Sequence, residues 1–259
     1  MLLTSNTSLS PTVAPLVGNG CPSIPAALRK LAENGINSVQ LSAAQQGIRP
    51  RELDRRARRD LSATLVRNGL MLNGLDLMIP RKHWRDGEQM DRAVTSALAA
   101  IELAADLGHV PVSLALPVKD LADDVRQALL TAADGRNVTL AVHAENELDE
   151  LIAWVERESQ PILGIGIAPS VLLAAEIDPA DMLNRFSKHI RVARLDDYSP
   201  PSVATMGGRC PVGQGELDVT AYRIAVELAT GIRGVVLELR DLSNPLEALL
   251  IANQAWQLR

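Results

Sequence analysis

Between residues 12 and 257, short apolar runs alternate with segments of helical periodicity until eight runs have passed. Few folds accept that pattern. A strand followed by an amphipathic helix, repeated along the chain, builds a parallel sheet with helices packed against it. The expected strands are Thr12–Val17, Ser38–Leu41, Leu70–Ile79, Val110–Leu116, Val138–Ala144, Ile162–Ile167, Ile190–Leu195 and Val235–Leu239. The expected helices begin with Ser23–Asn34, Pro50–Asn68 and a segment opening at Asp86 or Asp91 and running to Leu107. Asp120–Ala133, Glu147–Glu158, Pro179–Ser187, Asp218–Thr230 and Pro245–Gln257 follow. Eight βα units favour a closed (β/α)8 TIM barrel of class α/β. The rival is an open doubly wound sheet, and the turn after the first strand lacks the Gly-x-Gly-x-x-Gly pattern that would support it. At 259 residues the whole chain, 1–259, is read as one barrel domain.

The core of such a barrel must here be aliphatic, since 47% of the residues are hydrophobic and only 2% aromatic. A net charge of −5 speaks against a nucleic-acid backbone as partner, which would want a basic surface. The arginine run from Arg49 to Arg59 is interleaved with Glu52 and Asp54 and followed by Asp60, so it reads as a solvated helix face. Cys21 and Cys210, both beside proline, suggest neither a disulfide framework nor a zinc knuckle. Residues 1–15 lack a basic leader followed by an apolar stretch, and no apolar run approaches the ~20 residues that span a bilayer. The expectation is a cytoplasmic protein without a membrane or nucleic-acid partner; self-association into a homo-oligomer stays open.

In a barrel of this kind, chemistry gathers at the C-terminal ends of the strands. That rule selects Gln40, Asp76, His83, His143, Glu145, Ala168, the Ala193–Asp197 segment and Glu238. Glu238 stands in Val235-Val236-Leu237-Glu238-Leu239, a carboxylate in an apolar strand. An unpaired buried charge costs several kcal/mol, so something must meet it. The reading is a general base and metal ligand; the alternative is a buried salt bridge to Arg194 or Arg240. His143 and Glu145 lie two apart and share one face of an extended strand. Pro80-Arg81-Lys82-His83-Trp84 offers cations and an aromatic plate just after the third strand.

Several segments resemble the xylose-isomerase-like barrels, a superfamily of sugar-phosphate isomerases and epimerases. They are Gly35-Ile36-Asn37-Ser38-Val39-Gln40-Leu41, Arg58-Arg59-Asp60-Leu61, Gly69, and above all Val212-Gly213-Gln214-Gly215-Glu216-Leu217-Asp218 through Glu238. The resemblance implies a divalent metal held by carboxylates and histidine at the ends of strands five to eight. It also implies a carboxylate that moves a proton beside a carbonyl. The chain departs from that pattern. Gln40 stands where many members carry Glu, His143 takes the place of the strand-five Glu, and Ala168 and Ala193 fall where an Asp and a His are expected. Alanine coordinates nothing. A compensating set would be His143, Glu145, Asp196 and Glu238, suited to one zinc, manganese or magnesium ion, with no metal at all the equal alternative.

Two functional readings follow. In the first, the protein is a sugar or sugar-phosphate isomerase or epimerase with Glu238 and His143 catalytic. Asp76, Arg81, His83, Trp84 and Arg194 would then bind the substrate. In the second, it is a non-catalytic sugar-binding or regulatory barrel that has lost the metal site. An endonuclease of the same superfamily fits less well, because that chemistry needs a cluster of histidines and the chain has four in all.

Overall fold

The computed structural model describes residues 8–144, 147–202, 206–232 and 234–257. It has the TIM-barrel fold, with eight parallel strands and helices between them. The strands are β1 (Leu9–Pro11), β2 (Ser38–Ser42), β3 (Met71–Leu77), β4 (Val112–Ala115), β5 (Leu140–His143), β6 (Leu163–Ile167) and β7 (Ile190–Leu195). A short hairpin follows, β8 (Asp197–Ser199) and β9 (Gly208–Cys210), before the last barrel strand β10 (Val235–Leu237). The sheet order is β1-β10-β7-β6-β5-β4-β3-β2, and β8 pairs with β9 apart from it. By internal packing the chain divides into two compact units, Met1–Val39 with Ile167–Arg259, and Gln40–Gly166.

The first unit holds α1 (Ile24–Glu33), α6 (Pro169–Ala174), α7 (Pro179–Phe186), α8 (Val219–Leu228) and α9 (Pro245–Gln257). Ser23 caps α1 by accepting the Ala26 N–H, and α1 buries Ala27, Leu28 and Leu31 on one face. β1 lies parallel to β10, with Leu9 opposite Val235 and Pro11 opposite Leu237. β1 precedes the stretch expected to be a strand, and Ala14–Leu16 forms a turn of 3-10 helix instead. Pro15 explains the difference, since its ring fixes φ and removes the N–H that a strand would use. Ser10 and Ser38 share a side-chain hydrogen bond, tying β1 to the start of β2.

The second unit holds α2 (Arg55–Arg67), α3 (Gly87–Asp106), α4 (Asp123–Arg136) and α5 (Leu148–Glu158). The single helix expected over 50–68 is divided: Pro50–Glu52 is a 3-10 turn, and α2 begins only after Asp54. The Asp54 side chain takes the Ala57 N–H at 2.8 Å, so a new helix starts there and the earlier turn cannot run into it. Asp86 caps α3. β3, β4 and β5 stand in register, with Asp76 opposite Ser113 and Ala115 opposite His143. The interior is aliphatic as composition demands; Leu75, Leu103, Val112, Leu114, Leu129 and Leu140 are fully buried. Among the described residues no helix is long and apolar enough to cross a membrane.

Candidate functional site

In the first unit, the acid beyond β10 is surrounded by cations. Glu238 is 2% exposed. One of its carboxylate oxygens, Oε1, accepts the Arg240 backbone N–H at 2.9 Å, Arg240 Nε at 2.8 Å and Thr12 Oγ1 at 3.4 Å. The other, Oε2, takes Arg194 Nη1 and Arg240 Nη2. Burial alone would push this carboxyl up, but the Arg194 charge and the hydrogen bonds from Arg240 hold it well below the usual carboxylate range. Thr12 in turn accepts the Leu239 N–H at 3.0 Å, so the strand end and its acid are fixed together. Arg194 is itself 2% exposed, and its backbone carbonyl accepts the hydroxyl of Tyr222 at 2.6 Å.

Asp196, two residues beyond Arg194, is engaged in the same way. Its Oδ1 accepts the Ser170 N–H at 2.9 Å, and its Oδ2 accepts Ser170 Oγ at 2.6 Å and Arg209 Nε at 3.1 Å. Arg209 comes from β9 and also reaches Asp241 at 3.2 Å. Among the described residues Asp197 pairs with no cation and accepts from four backbone donors. Oδ1 accepts Tyr198 N at 2.8 Å and Leu217 N at 2.9 Å, while Oδ2 accepts Gly213 N and Gly215 N, both at 2.9 Å. The glycine-rich segment that stood out in the sequence is therefore wrapped around one buried carboxylate. Gly213 has φ +84°, and a Cβ on Gly215 would overlap the Asp197 carboxylate and the Tyr198 carbonyl. The Cys210 thiol nearby is pushed up to about 11, by burial first and then by the charges of Asp197 and Asp196, which leaves it protonated at neutral pH.

In the second unit the inward polar residues are Gln40 and Asp76, each 1% exposed, Ser113, 0%, and His143, 8%. Both amide atoms of Gln40 and the hydroxyl of Ser113 are buried with no hydrogen-bond partner among the described residues. Buried polar groups are normally paired, which makes Gln40 and Ser113 candidates for contact with another polar group. His143 lies directly over Gly166, and a Cβ there would overlap the imidazole. Gly166→Ala should thus displace His143 and cost about 1–3 kcal/mol by overpacking. The measurement is urea unfolding alongside the imidazole proton resonances, and an unshifted His143 with unchanged stability would break that account.

The loop after β3 behaves differently from a free basic tip. Arg81 pairs with Glu147, which also accepts the Lys119 N–H at 2.9 Å and lies 3.9 Å from Arg85. Glu147 thus joins the loops that follow β3, β4 and β5. Trp84, read as an aromatic plate for a ligand, is 1% exposed and packed beneath the 3-10 turn Arg81–Trp84, because that turn rotates it inward while His83 stays half-buried. Glu145 lies outside the described residues. Sequence reasoning missed Arg209, Ser170 and Glu147; nothing in their local sequence signals the partners that the fold brings to them.

The described residues do not fit a divalent metal. No group of three or more His, Cys, Asp or Glu among them is placed to hold one. The carboxylates that could contribute are committed: Glu238 to two guanidiniums, Asp196 to Ser170 and Arg209. Ala193 pairs with Val235 and Arg194 with Val236, so alternation puts Arg194, not Ala193, on the face that reaches Glu238. A guanidinium, rather than a metal ligand, therefore stands beside Glu238 on that face.

No protein-family model matches the sequence, and no curated protein matches it. Solved structures do. A xylose isomerase domain protein from Planctomyces limnophilus superposes with a TM-score of 0.74 at 17% identity, covering 97% of this chain and 96% of its own. A D-tagatose 3-epimerase-like protein gives 0.73 at 13% identity over 95% and 96% of the two chains. An IOLI protein with a bound zinc atom gives 0.70 at 18% identity over 96% and 94%.

Proposed function

From a chain with the fold of the xylose-isomerase-like TIM barrels, we infer a barrel that binds a small polyhydroxylated, sugar-type ligand without the divalent metal. The observation that carries this reading is the Glu238 carboxylate, whose two oxygens are both held by guanidinium groups. A metal would have to displace Arg194 and Arg240 and separate a buried guanidinium from a carboxylate it pairs with, at a cost of several kcal/mol. The sugar-type ligand is suggested by the open amide of Gln40 and hydroxyl of Ser113, and by the names of the similar structures. Hydroxyl groups supply the donors and acceptors that such side chains lack. Asp76, His143, Arg81 and His83, all in the second unit, are proposed as contacts or supports for that ligand.

The isomerase or epimerase reading needs Glu238 to accept a proton. A carboxyl held far below its ordinary range is a weak base, which sets this reading second. Calorimetric titration with pentoses, hexoses and their phosphates, run with a chelator and then with added zinc or manganese, separates the two. Saturable binding that is indifferent to the chelator is expected. Binding that requires metal, or metal-dependent exchange of a carbon-bound proton with heavy water, would return the protein to the catalytic class.

A further inference from the structure

A hollow of about 930 Å³ opens within the second unit at the C-terminal ends of β2 and β3, against one face of α3. That volume falls in the range of small-molecule sites. Leu77, Met78, Ile79 and Ala93 give it apolar walls, and Met78 and Ile79 are only half-buried. Its rim is charged. Arg51 enters from the 3-10 turn Pro50–Glu52 and Arg92 from α3, and neither has an ion-pair or hydrogen-bond partner among the described residues. Glu88 and Asp91 also line the α3 side, so that wall is mixed.

The opposite wall decides the sign. Arg49–Asp60 holds six arginines against three carboxylates in a chain of net charge −5. All three carboxylates are occupied: Glu52 by Gly47 N and Arg49, Asp54 by the Ala57 N–H, and Asp60 by Arg56 at 3.8 Å. Arg51 acts on Glu52 only through space and makes no ion pair or hydrogen bond of its own among the described residues, so its guanidinium stands at the rim of the hollow beside an apolar surface. The two features together suit one kind of molecule. We propose that this hollow is a binding site for an amphipathic oxyanion, an organic acid whose carboxylate or phosphate meets Arg51 and Arg92 while its apolar body lies on Leu77, Met78 and Ile79. His83, a proposed sugar contact, also lines this hollow, but the proposal rests on Arg51, Arg92 and the apolar wall and does not depend on the sugar reading.

The test titrates the intact protein with octanoate, octanol and inorganic phosphate by calorimetry. Octanoate should bind saturably with one site, and octanol and phosphate at least ~10-fold more weakly. Arg51, Arg92 and Ser96 are exposed, so changing them leaves the core untouched. Arg51→Ala/Arg92→Ala should weaken octanoate by ~10-fold or more without altering octanol. Ser96→Trp, which places a large side chain in the hollow, should remove binding of both. The proposal is overturned if octanoate does not saturate, if octanol binds as tightly as octanoate, or if Ser96→Trp binds octanoate undiminished. Sugar binding measured on Arg51→Ala/Arg92→Ala should stay unchanged, so each reading stands or falls alone.

Discussion

Replacing Glu238 by leucine is expected to cost roughly 3–5 kcal/mol of stability, because it takes away the carboxylate paired with the Arg194 guanidinium, which is 2% exposed. The double change Arg194→Met/Glu238→Leu should recover more than half of that loss. Arg240, less buried at 29% side-chain exposure, can turn toward water once Glu238 is gone. A buried ion pair is often no better than well-packed apolar residues, whereas half of one is much worse. Urea unfolding of the single and double variants reads the difference directly. Additive losses would mean that the two residues act independently, contrary to the hydrogen bond between them.

The same pair sets an acid limit. The folded carboxyl of Glu238 lies below its unfolded value, so in acid the unfolded chain binds the extra proton and stability rises with pH. This contribution is fully present above the unfolded value of about 4.3 and is lost as pH falls below it toward the folded value. Arg194→Met/Glu238→Leu should flatten the stability curve in that acid window and leave its slope unchanged near neutrality. A curve of unaltered acid slope would show that other carboxylates govern the transition.

Asp197→Ala should be about as damaging, with a loss of roughly 3–5 kcal/mol, since four backbone N–H groups lose a charged acceptor at once. The informative variant is Asp197→Asn. An amide can satisfy the two donors at one oxygen position, but its NH2 then faces the two N–H donors at the other. It should therefore recover little, although its shape is nearly that of Asp. Hydrogen exchange at Gly213, Gly215 and Leu217 should speed up in both variants. Full recovery by Asn would mean that shape, rather than acceptor capacity, holds the segment.

These two carboxylates mark the boundary between what was legible and what was not. The sequence flagged Glu238 because a charge in an apolar strand demands a partner, and it named Arg194 and Arg240 as candidates for a salt bridge. It could not tell that both are engaged together. It also singled out the glycines of Pro211–Asp218 without showing that they exist to let backbone N–H groups approach Asp197, which precedes Gly213 by sixteen residues. The β8–β9 hairpin leaves no signal in the sequence, since its three-residue strands are too short to show periodicity.

Alternation of apolar runs with helical segments was enough to determine the (β/α)8 fold, because periodicity and capping are local and each strand's apolar face must be buried. The aliphatic core followed from composition alone. Only the tertiary structure decided that Asp196 meets Ser170 and Arg209 and that Glu238 meets two arginines. Pairing of a buried charge depends on which distant residues the fold brings within about 3 Å, and no local pattern encodes that distance.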